Sequence, residues 1–219
     1  NDDMFNSADG VEDALYGVYM TMVTKDMYGR LMSNMIPEIL GQNFVSSYQY
    51  LPYLGRFEYD RSETRAMYKS MWKTGYLTIS YLNNIIENLE GKNEKDFKHY
   101  GLYMGEALGL RAAIHFDLLR LYGPSYNENT KSMITIPYQN EAKRDITPLR
   151  SAEYVLERVI EDLEEAVRLL KDNDPVFTTG VGNAVTSDDG LERADFTYRQ
   201  LRLNYFAVQT LLARAYLWK

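Results

Sequence analysis

The sequence has no cysteine, which excludes disulfides, thiol nucleophiles and thiolate metal sites within it. It has only two histidines, His99 and His115, too few and too far apart along the chain for a structural zinc site. No metal and no cofactor is expected. No stretch approaches the roughly 18 consecutive apolar residues that mark a membrane-spanning helix. Positive charge is in the minority: 24 Lys and Arg against 31 Asp and Glu leave a net charge of −7 and a pI near 5.0. That balance argues against a nucleic-acid partner, which would need a basic face. The first residue is Asn1, and no charged-then-apolar leader follows it. Removal of a targeting peptide and trimming of the chain would both leave such a start.

What is present in excess is tyrosine. Nineteen Tyr against two Trp and eight Phe favour one amphipathic ring, suited to surfaces that are apolar in the middle and wet at the edge. That bias hints at recognition, although helical cores also use tyrosine. Hydrophobic content of 45% and charged content of 25% are ordinary for a globular chain. A length of 219 residues suffices for a substantial core, in one large domain or two small ones.

Helical periodicity predicts five segments. The first covers residues 9–24, capped by Ser7 or Asp9, with Val11, Leu15, Val18 and Met22 on one face. The second covers 62–89, with Tyr68, Trp72, Ile79, Leu82, Ile86 and Leu89 in register and Gly91 as the stop. The third covers 94–122, where Gly101, Gly105, Gly109 and Ala113 fall four apart and form a stripe almost without side chains. Each interior glycine costs about 1 kcal/mol relative to alanine, so three in register predict another helix packed closely against them. The Ala112-x3-Phe116 spacing of this segment also fits a tetratricopeptide-like hairpin.

Thr147-Pro148 and Ser151 signal the start of the fourth segment, which buries Val155, Val159, Leu163, Ala166, Val167 and Leu170. Arg158 with Asp162, and Glu164 with Arg168, are expected as ion pairs on its outer face. The fifth begins near Tyr198 and carries Leu203, Phe206, Ala207, Leu211, Ala215 and Trp218. The one candidate strand, around Ile134 to Ile136, is very short. The short link between the second and third segments predicts an antiparallel pair. The links over residues 25–61 and 171–198 are long, and loops of that length are commonly functional or disordered. The expected fold is all-α: tetratricopeptide-like antiparallel helical hairpins with long irregular loops.

Five blocks in order resemble the SusD/RagB family of outer-membrane nutrient-binding lipoproteins of Bacteroidetes. They are Phe5 with Ala14-Leu15-Tyr16-Gly17-Val18-Tyr19; Trp72, Tyr76 and Ile79 through Asn83-Asn84-Ile85-Ile86; and Glu106-Ala107, Leu110-Arg111-Ala112, Phe116, Leu118 and Tyr122-Gly123. Ile136-Pro137-Tyr138 follows, and Ile160, Asp162-Leu163 and Ala166 with Leu211-Leu212-Ala213-Arg214-Ala215-Tyr216-Leu217 complete the set. The chain departs from the family after Gly123, where Pro124 follows at once instead of closing a Gly-x-x-Pro turn.

The resemblance implies a single SusD-like amino-terminal domain over residues 1–219, with a carboxy-terminal half expected beyond Lys219 and a lipid-bearing cysteine upstream of Asn1. It implies a surface-exposed lipoprotein of the outer membrane, acting as a lid on a SusC-like TonB-dependent barrel. The lid would capture an oligosaccharide, or another nutrient such as peptide, and deliver it without catalysis. The rival class is a tetratricopeptide-like protein–protein scaffold with no sugar binding, its contacts made by a helix-lined groove and its loops incidental.

Within the 25–61 link, Phe44, Tyr48, Tyr50, Tyr53, Phe57 and Tyr59 lie among Gln42, Asn43, Ser46, Ser47 and Gln49. Flat ring faces stack on the apolar side of a pyranose while amides bond its hydroxyls. Asn43, Tyr48, Tyr50, Tyr53 and Tyr59 are the predicted ligand contacts, against the alternative that these rings hold the link onto the helices. Trp72 is expected in the core, and Trp218 against the carboxy-terminal half. His115 is expected as a satisfied, partly buried side chain. Glu106 and Arg111 are expected to fix helix packing, though five apart they are no ideal pair. The acidic run Glu161-Asp162-x-Glu164-Glu165 reads as a solvated face, because carboxylates that hydrolyse glycosides must face each other across a cleft. Ser187-Asp188-Asp189-Gly190 lacks the ligand alternation of a calcium loop and reads as a polar turn.

Overall fold

The computed structural model describes residues 2–47, 51–95, 97–143, 145–180 and 199–219. Among the described residues the regular elements are helical: α1 (Ala8–Met22), α2 (Ile36–Leu40), α3 (Leu51–Gly55), α4 (Ser62–Leu89), α5 (Tyr100–Tyr122), α6 (Ala152–Asn173), α7 (Val176–Thr179) and α8 (Tyr205–Trp218). The all-α expectation holds. The chain divides into two compact units, one made of residues 1–15 and 82–219 and the other of residues 16–81.

The larger unit is built on α5, which is buried on nearly every side from Gly101 to Leu119. Its closest partner is α6. A Cβ added at Gly101 would meet the Asn173 side chain, and one added at Gly105 would meet Leu169 and Leu170. One at Gly109 would lie 3.7 Å from Ala166 Cβ. As the glycine numbers rise, the α6 numbers fall, so the two helices are antiparallel and the stripe is the seam between them. Leu203 and Val208, entering and within α8, close over Gly109. The predicted close approach is present, and its partner is the fourth segment of the sequence, reached through a long connection.

That connection is pinned by an antiparallel clip rather than a strand. Ile134 bridges Ser151, and Thr135 N–H donates to Arg150 O at 2.7 Å while Arg150 N–H donates to Ile136 O at 3.0 Å. Ser151 then caps α6, its hydroxyl accepting from Tyr154 N–H at 3.2 Å. At the other helix starts, Ser7 Oγ accepts from Gly10 N–H at 3.1 Å, which decides the cap of α1 in favour of Ser7. Asn204 Oδ1 accepts from Ala207 N–H at 3.0 Å. The fifth segment therefore begins at Tyr205, after a 3-10 turn over Arg199–Leu201.

Helix α5 begins later than its periodicity suggests. His99 takes a left-handed conformation with φ 63°, which stops the helix from extending backwards. The Glu94 carboxylate accepts instead from Gly101 N–H at 2.6 Å, so Glu94 serves the start of the helix from outside it. The end of α4 falls where Gly91 predicts, with φ 77° at that glycine.

Two buried charge networks hold the larger unit. Arg111 grips Asp162 with Nε at 2.7 Å and Nη2 at 2.8 Å, and its Nη1 donates to Asn83 Oδ1 at 3.0 Å. Asp162 also accepts from the Tyr138 hydroxyl. It therefore points inward from the acidic run, contrary to the solvated face expected there. On the outer face of α6 the pairs are Arg158 with Glu161 and Arg168 with Glu165, three apart rather than four. In the second network Glu106 accepts from Arg199 and Arg202, both at 2.8 Å. Arg199 reaches Asp174 at 3.0 Å, and Arg202 reaches Glu12. Glu106 and Arg111 do fix packing, each through distant partners and not through each other.

His115 is fully buried, more so than its sequence context suggests. Its Nδ1 lies 3.0 Å from Arg111 O, and its Nε2 accepts from Gln139 N–H at 3.1 Å. This pairing requires the neutral tautomer with the proton on Nδ1. Burial is the main reason its pKa is driven down to about 3, with the nearby Arg111 charge acting in the same direction. The ring stacks on Tyr138 at 4.2 Å between centroids. Burial, then the Asp162 charge, raises the Tyr138 phenol far above its usual range and keeps it a donor. Trp218 meets Phe116 edge-on at 5.7 Å and Tyr126 at 5.4 Å, so this ring has packing partners inside the chain.

The smaller unit has a methionine-rich core: Met27, Met32, Met35, Met67 and Met71 are buried with Val18, Leu31, Ile36, Ile39, Leu54 and Ile79. Flexible thioethers fill irregular gaps, which suits a core assembled from short pieces. The link over 25–61, expected as a loop, is partly helical: a π-helical turn over Leu31–Met35 runs into α2, and α3 follows. Helices of five residues have almost no intrinsic stability, so these exist because Ile36, Ile39 and Leu54 are buried. Trp72 is half-buried beside Tyr76, with centroids 4.8 Å apart, consistent with a packing role.

Candidate ligand-binding surface

A groove in the smaller unit lies between the ends of α2 and α3. Both helices stop with a Schellman arrangement. After α2, Gln42 N–H donates to Ile39 O at 3.1 Å and Asn43 N–H to Glu38 O at 3.0 Å. After α3, Phe57 N–H donates to Leu54 O and Glu58 N–H to Tyr53 O, both at 2.9 Å. The arrangement needs a left-handed residue, normally glycine. Here Gln42 (φ 57°) and Phe57 (φ 59°) occupy those positions, each at a cost of about 1–2 kcal/mol. Such strain persists where surrounding contacts over-determine it, often at functional sites.

Gln42 shows one such contact. Its amide Nε2 donates to Ile39 O at 3.2 Å and to Gly55 O at 3.0 Å, tying the two helix ends together. Between them is a groove of about 220 Å³, walled by Ile39, Phe44, Val45, Leu51 and Pro52, with Gln42, Ser46 and Arg56 as its polar members. It is smaller than the ~300–1,000 Å³ usual for a drug-sized ligand, and open enough to admit one ring or a chain end. Phe44 and Val45 are exposed on its wall. The groove thus offers apolar faces beside the Gln42 amide oxygen, a hydroxyl and a guanidinium, a set that can both stack and hydrogen-bond.

Beside the groove, Arg56 and Arg61 share the carboxylate of Glu58, at 2.7 and 2.8 Å. Hydrogen bonds from Arg56 and then Arg61 lower the Glu58 pKa. The Tyr53 ring lies under both guanidiniums, 5.3 Å from the first and 4.8 Å from the second, within cation–π range. Tyr59 is exposed and meets Tyr68 edge-on at 5.8 Å, with Phe57 at 6.4 Å. Burial raises the Tyr59 phenol, and burial followed by the Tyr59 charge raises that of Tyr68.

Of the predicted contacts, Asn43 is exposed and its side chain donates to Glu38 at 2.7 Å. Tyr53 is half-buried under the arginines, and Tyr59 stands in the aromatic cluster. Tyr48 and Tyr50 lie outside the described residues, as does Ser187-Asp188-Asp189-Gly190. The groove wall itself is made by neighbours of the predicted residues. Arg56 and Leu51-Pro52 were not singled out in the sequence; the Arg56-x-Glu58-x2-Arg61 spacing is the signal that points to the arginine pair. Among the described residues no group of acidic or imidazole side chains is placed to hold a metal ion, and no helix is long and apolar enough to cross a membrane.

The fold recurs in known proteins. A protein from Bacteroides vulgatus ATCC 8482 aligns over 98% of this chain and 43% of its own, with TM-score 0.75 and 24% identity. A SusD superfamily protein from Bacteroides thetaiotaomicron VPI-5482 aligns over 97% of this chain and 42% of its own, with TM-score 0.69 and 20% identity. A SusD-like carbohydrate binding protein from Bacteroides vulgatus ATCC 8482 gives TM-score 0.69 and 18% identity, over 97% of this chain and 42% of its own. The chain thus spans less than half the length of these solved structures. No curated protein matches it. A family model described as starch-binding associating with outer membrane matches residues 2–180, and the chain therefore belongs to the SusD-like family.

Proposed function

We propose that this protein binds an oligosaccharide at the cell surface and delivers it to a SusC-like TonB-dependent transporter of the outer membrane, without catalysing a reaction on it. The family match over residues 2–180 carries this reading. The groove between α2 and α3 supports it, because its apolar walls beside Gln42, Ser46 and Arg56 have the mixed chemistry that a sugar requires. Asn43, Tyr48, Tyr50, Tyr53 and Tyr59 belong to the same stretch of chain and are proposed to extend the contact. Attachment to the membrane would be through a lipid on a cysteine upstream of Asn1, with residues 1–219 forming an amino-terminal domain of the whole protein.

The test is recovery of the intact protein from native outer membranes, with its partners identified by mass. A large β-barrel transporter in near-equal amount is the expected result. Recovery without any barrel, under conditions that preserve known transporter complexes, overturns the delivery role. Chromatography of a bound labelled oligosaccharide is expected to return it intact; shortened products would overturn the non-catalytic assignment.

A further inference from the structure

The smaller unit differs in charge from the rest of the chain. Between Tyr16 and Tyr81 there are seven Lys and Arg against five Asp and Glu, a net charge of +2, while the whole chain carries −7. At the groove, Arg56 and Arg61 share one carboxylate, Glu58, so these three side chains sum to a formal charge of +1, with Glu63 acting on Arg61 from nearby.

The geometry of the sharing matters more than the count. Arg56 uses its Nε on Glu58 Oε1, and Arg61 uses its Nε on Glu58 Oε2. Both oxygens of Glu58 are thereby occupied, while the terminal Nη nitrogens of both arginines make no hydrogen bond to any described residue. The Tyr53 ring beneath them holds the two planes in place. Each arginine side chain is 56% exposed, so the nitrogens are open to solvent, and Arg56 also lines the groove. A guanidinium whose Nε is already satisfied and whose Nη pair is free presents the fork that bonds a carboxylate or sulfate.

We propose that the ligand is an acidic oligosaccharide: one ring occupies the groove against Phe44, Leu51 and Pro52, and its carboxylate or sulfate is held by Arg56, with Arg61 adding the second guanidinium. This inference rests on the glycan-binding reading above and narrows it to a substrate class. Glu58 is the positioning residue, since it aims both arginines without meeting the ligand.

Calorimetric titration of the intact protein with three probes tests it: oligogalacturonate for a carboxylate, carrageenan oligosaccharide for a sulfate ester, and maltoheptaose as the neutral control. One acidic probe should bind at least about tenfold tighter than maltoheptaose, the difference expected when one charge-assisted hydrogen bond is gained. Its affinity should fall as salt is raised. Arg56→Gln should remove most of the preference, and Arg56→Lys should retain only part of it, because a lysine keeps the charge but loses the planar fork. Arg65→Gln, which removes an exposed arginine paired only loosely with Asp60 at 3.5 Å, should leave affinity unchanged. These exposed positions leave the core intact, so an unaltered melting curve is expected for each variant.

Maltoheptaose binding as tightly as both acidic probes would overturn the acidic class and leave glycan binding standing. Equal losses from Arg56→Gln and Arg65→Gln would overturn the fork, since the attraction would then be diffuse. Binding of none of the three would refute the acidic class, and silence across a broad glycan panel as well would remove the glycan reading beneath it.

Discussion

Two helical glycines of this protein should respond to the same substitution with opposite signs. Replacing an exposed helical glycine by alanine stabilises a helix by about 1 kcal/mol through reduced backbone entropy. Gly17 lies within α1, is exposed, and an added Cβ there meets nothing within 4 Å. Gly17→Ala should therefore raise stability by about 0.5–1 kcal/mol. Gly105 lies within α5, and its added Cβ would stand 2.8 Å from Leu170 Cγ and 3.2 Å from Leu169 Cβ. Those atoms sit close to the α6 backbone, so the clash cannot be relieved by swinging a flexible side-chain end. The two helices must separate by several tenths of an ångström along a fully packed seam. Overpacking of this kind costs about 1–3 kcal/mol. After the helical gain of about 1 kcal/mol is subtracted, a net loss of up to about 2 kcal/mol is expected for Gly105→Ala. Urea titrations followed by circular dichroism would measure both variants against the parent. Stabilisation by Gly105→Ala comparable to that of Gly17→Ala would refute the close approach of α5 and α6.

Acid should weaken the protein through His115. Its folded pKa of about 3 lies below the ordinary 6.5, so the unfolded chain binds the proton first and stability falls as pH drops from about 6.5 towards 3. Between pH 7 and 5 the loss is about 2 kcal/mol, and a His115→Gln variant should lack that part of the slope; an identical slope in the two proteins would exclude His115 as the cause. Arg199→Met should be among the most damaging single changes, at about 3–5 kcal/mol, because it leaves the buried Asp174 carboxylate without a cation and Glu106 with Arg202 alone. Converting those two to Asn and Gln as well should recover part of the loss, and a thermal melt that shows no recovery would argue against stranded charge as the mechanism.

Much of the helical layout was legible because it is written in local periodicity. The span of α4 and the caps at Ser7 and Ser151 follow from residues within a turn of where they act. So does the left-handed stop at Gly91. The glycine stripe announced a close neighbour, since three interior glycines are hard to explain otherwise. The identity of the neighbour was not local: α6 lies about 30 residues further along the chain, which the Ile134–Ser151 clip folds back beside it.

Charge pairing shows the same division. An acidic run on an amphipathic helix looks uniformly solvated, and spacing alone pairs Arg158 with Asp162. The tertiary structure instead turns Asp162 inward, because Arg111, buried on α5, must have a carboxylate. Arg158 then takes Glu161 on the outer face. At the candidate site, the aromatic and amide composition of the 25–61 link marked the region, but composition does not make a groove. Its shape depends on two short helices that exist only because their apolar residues are buried, and on Gln42 and Phe57 accepting left-handed backbone where glycine would be expected. Local sequence determined where helices form and end. Packing decided which surfaces meet, because only burial supplies the free energy to stabilise five-residue helices and to pair charges distant in the chain.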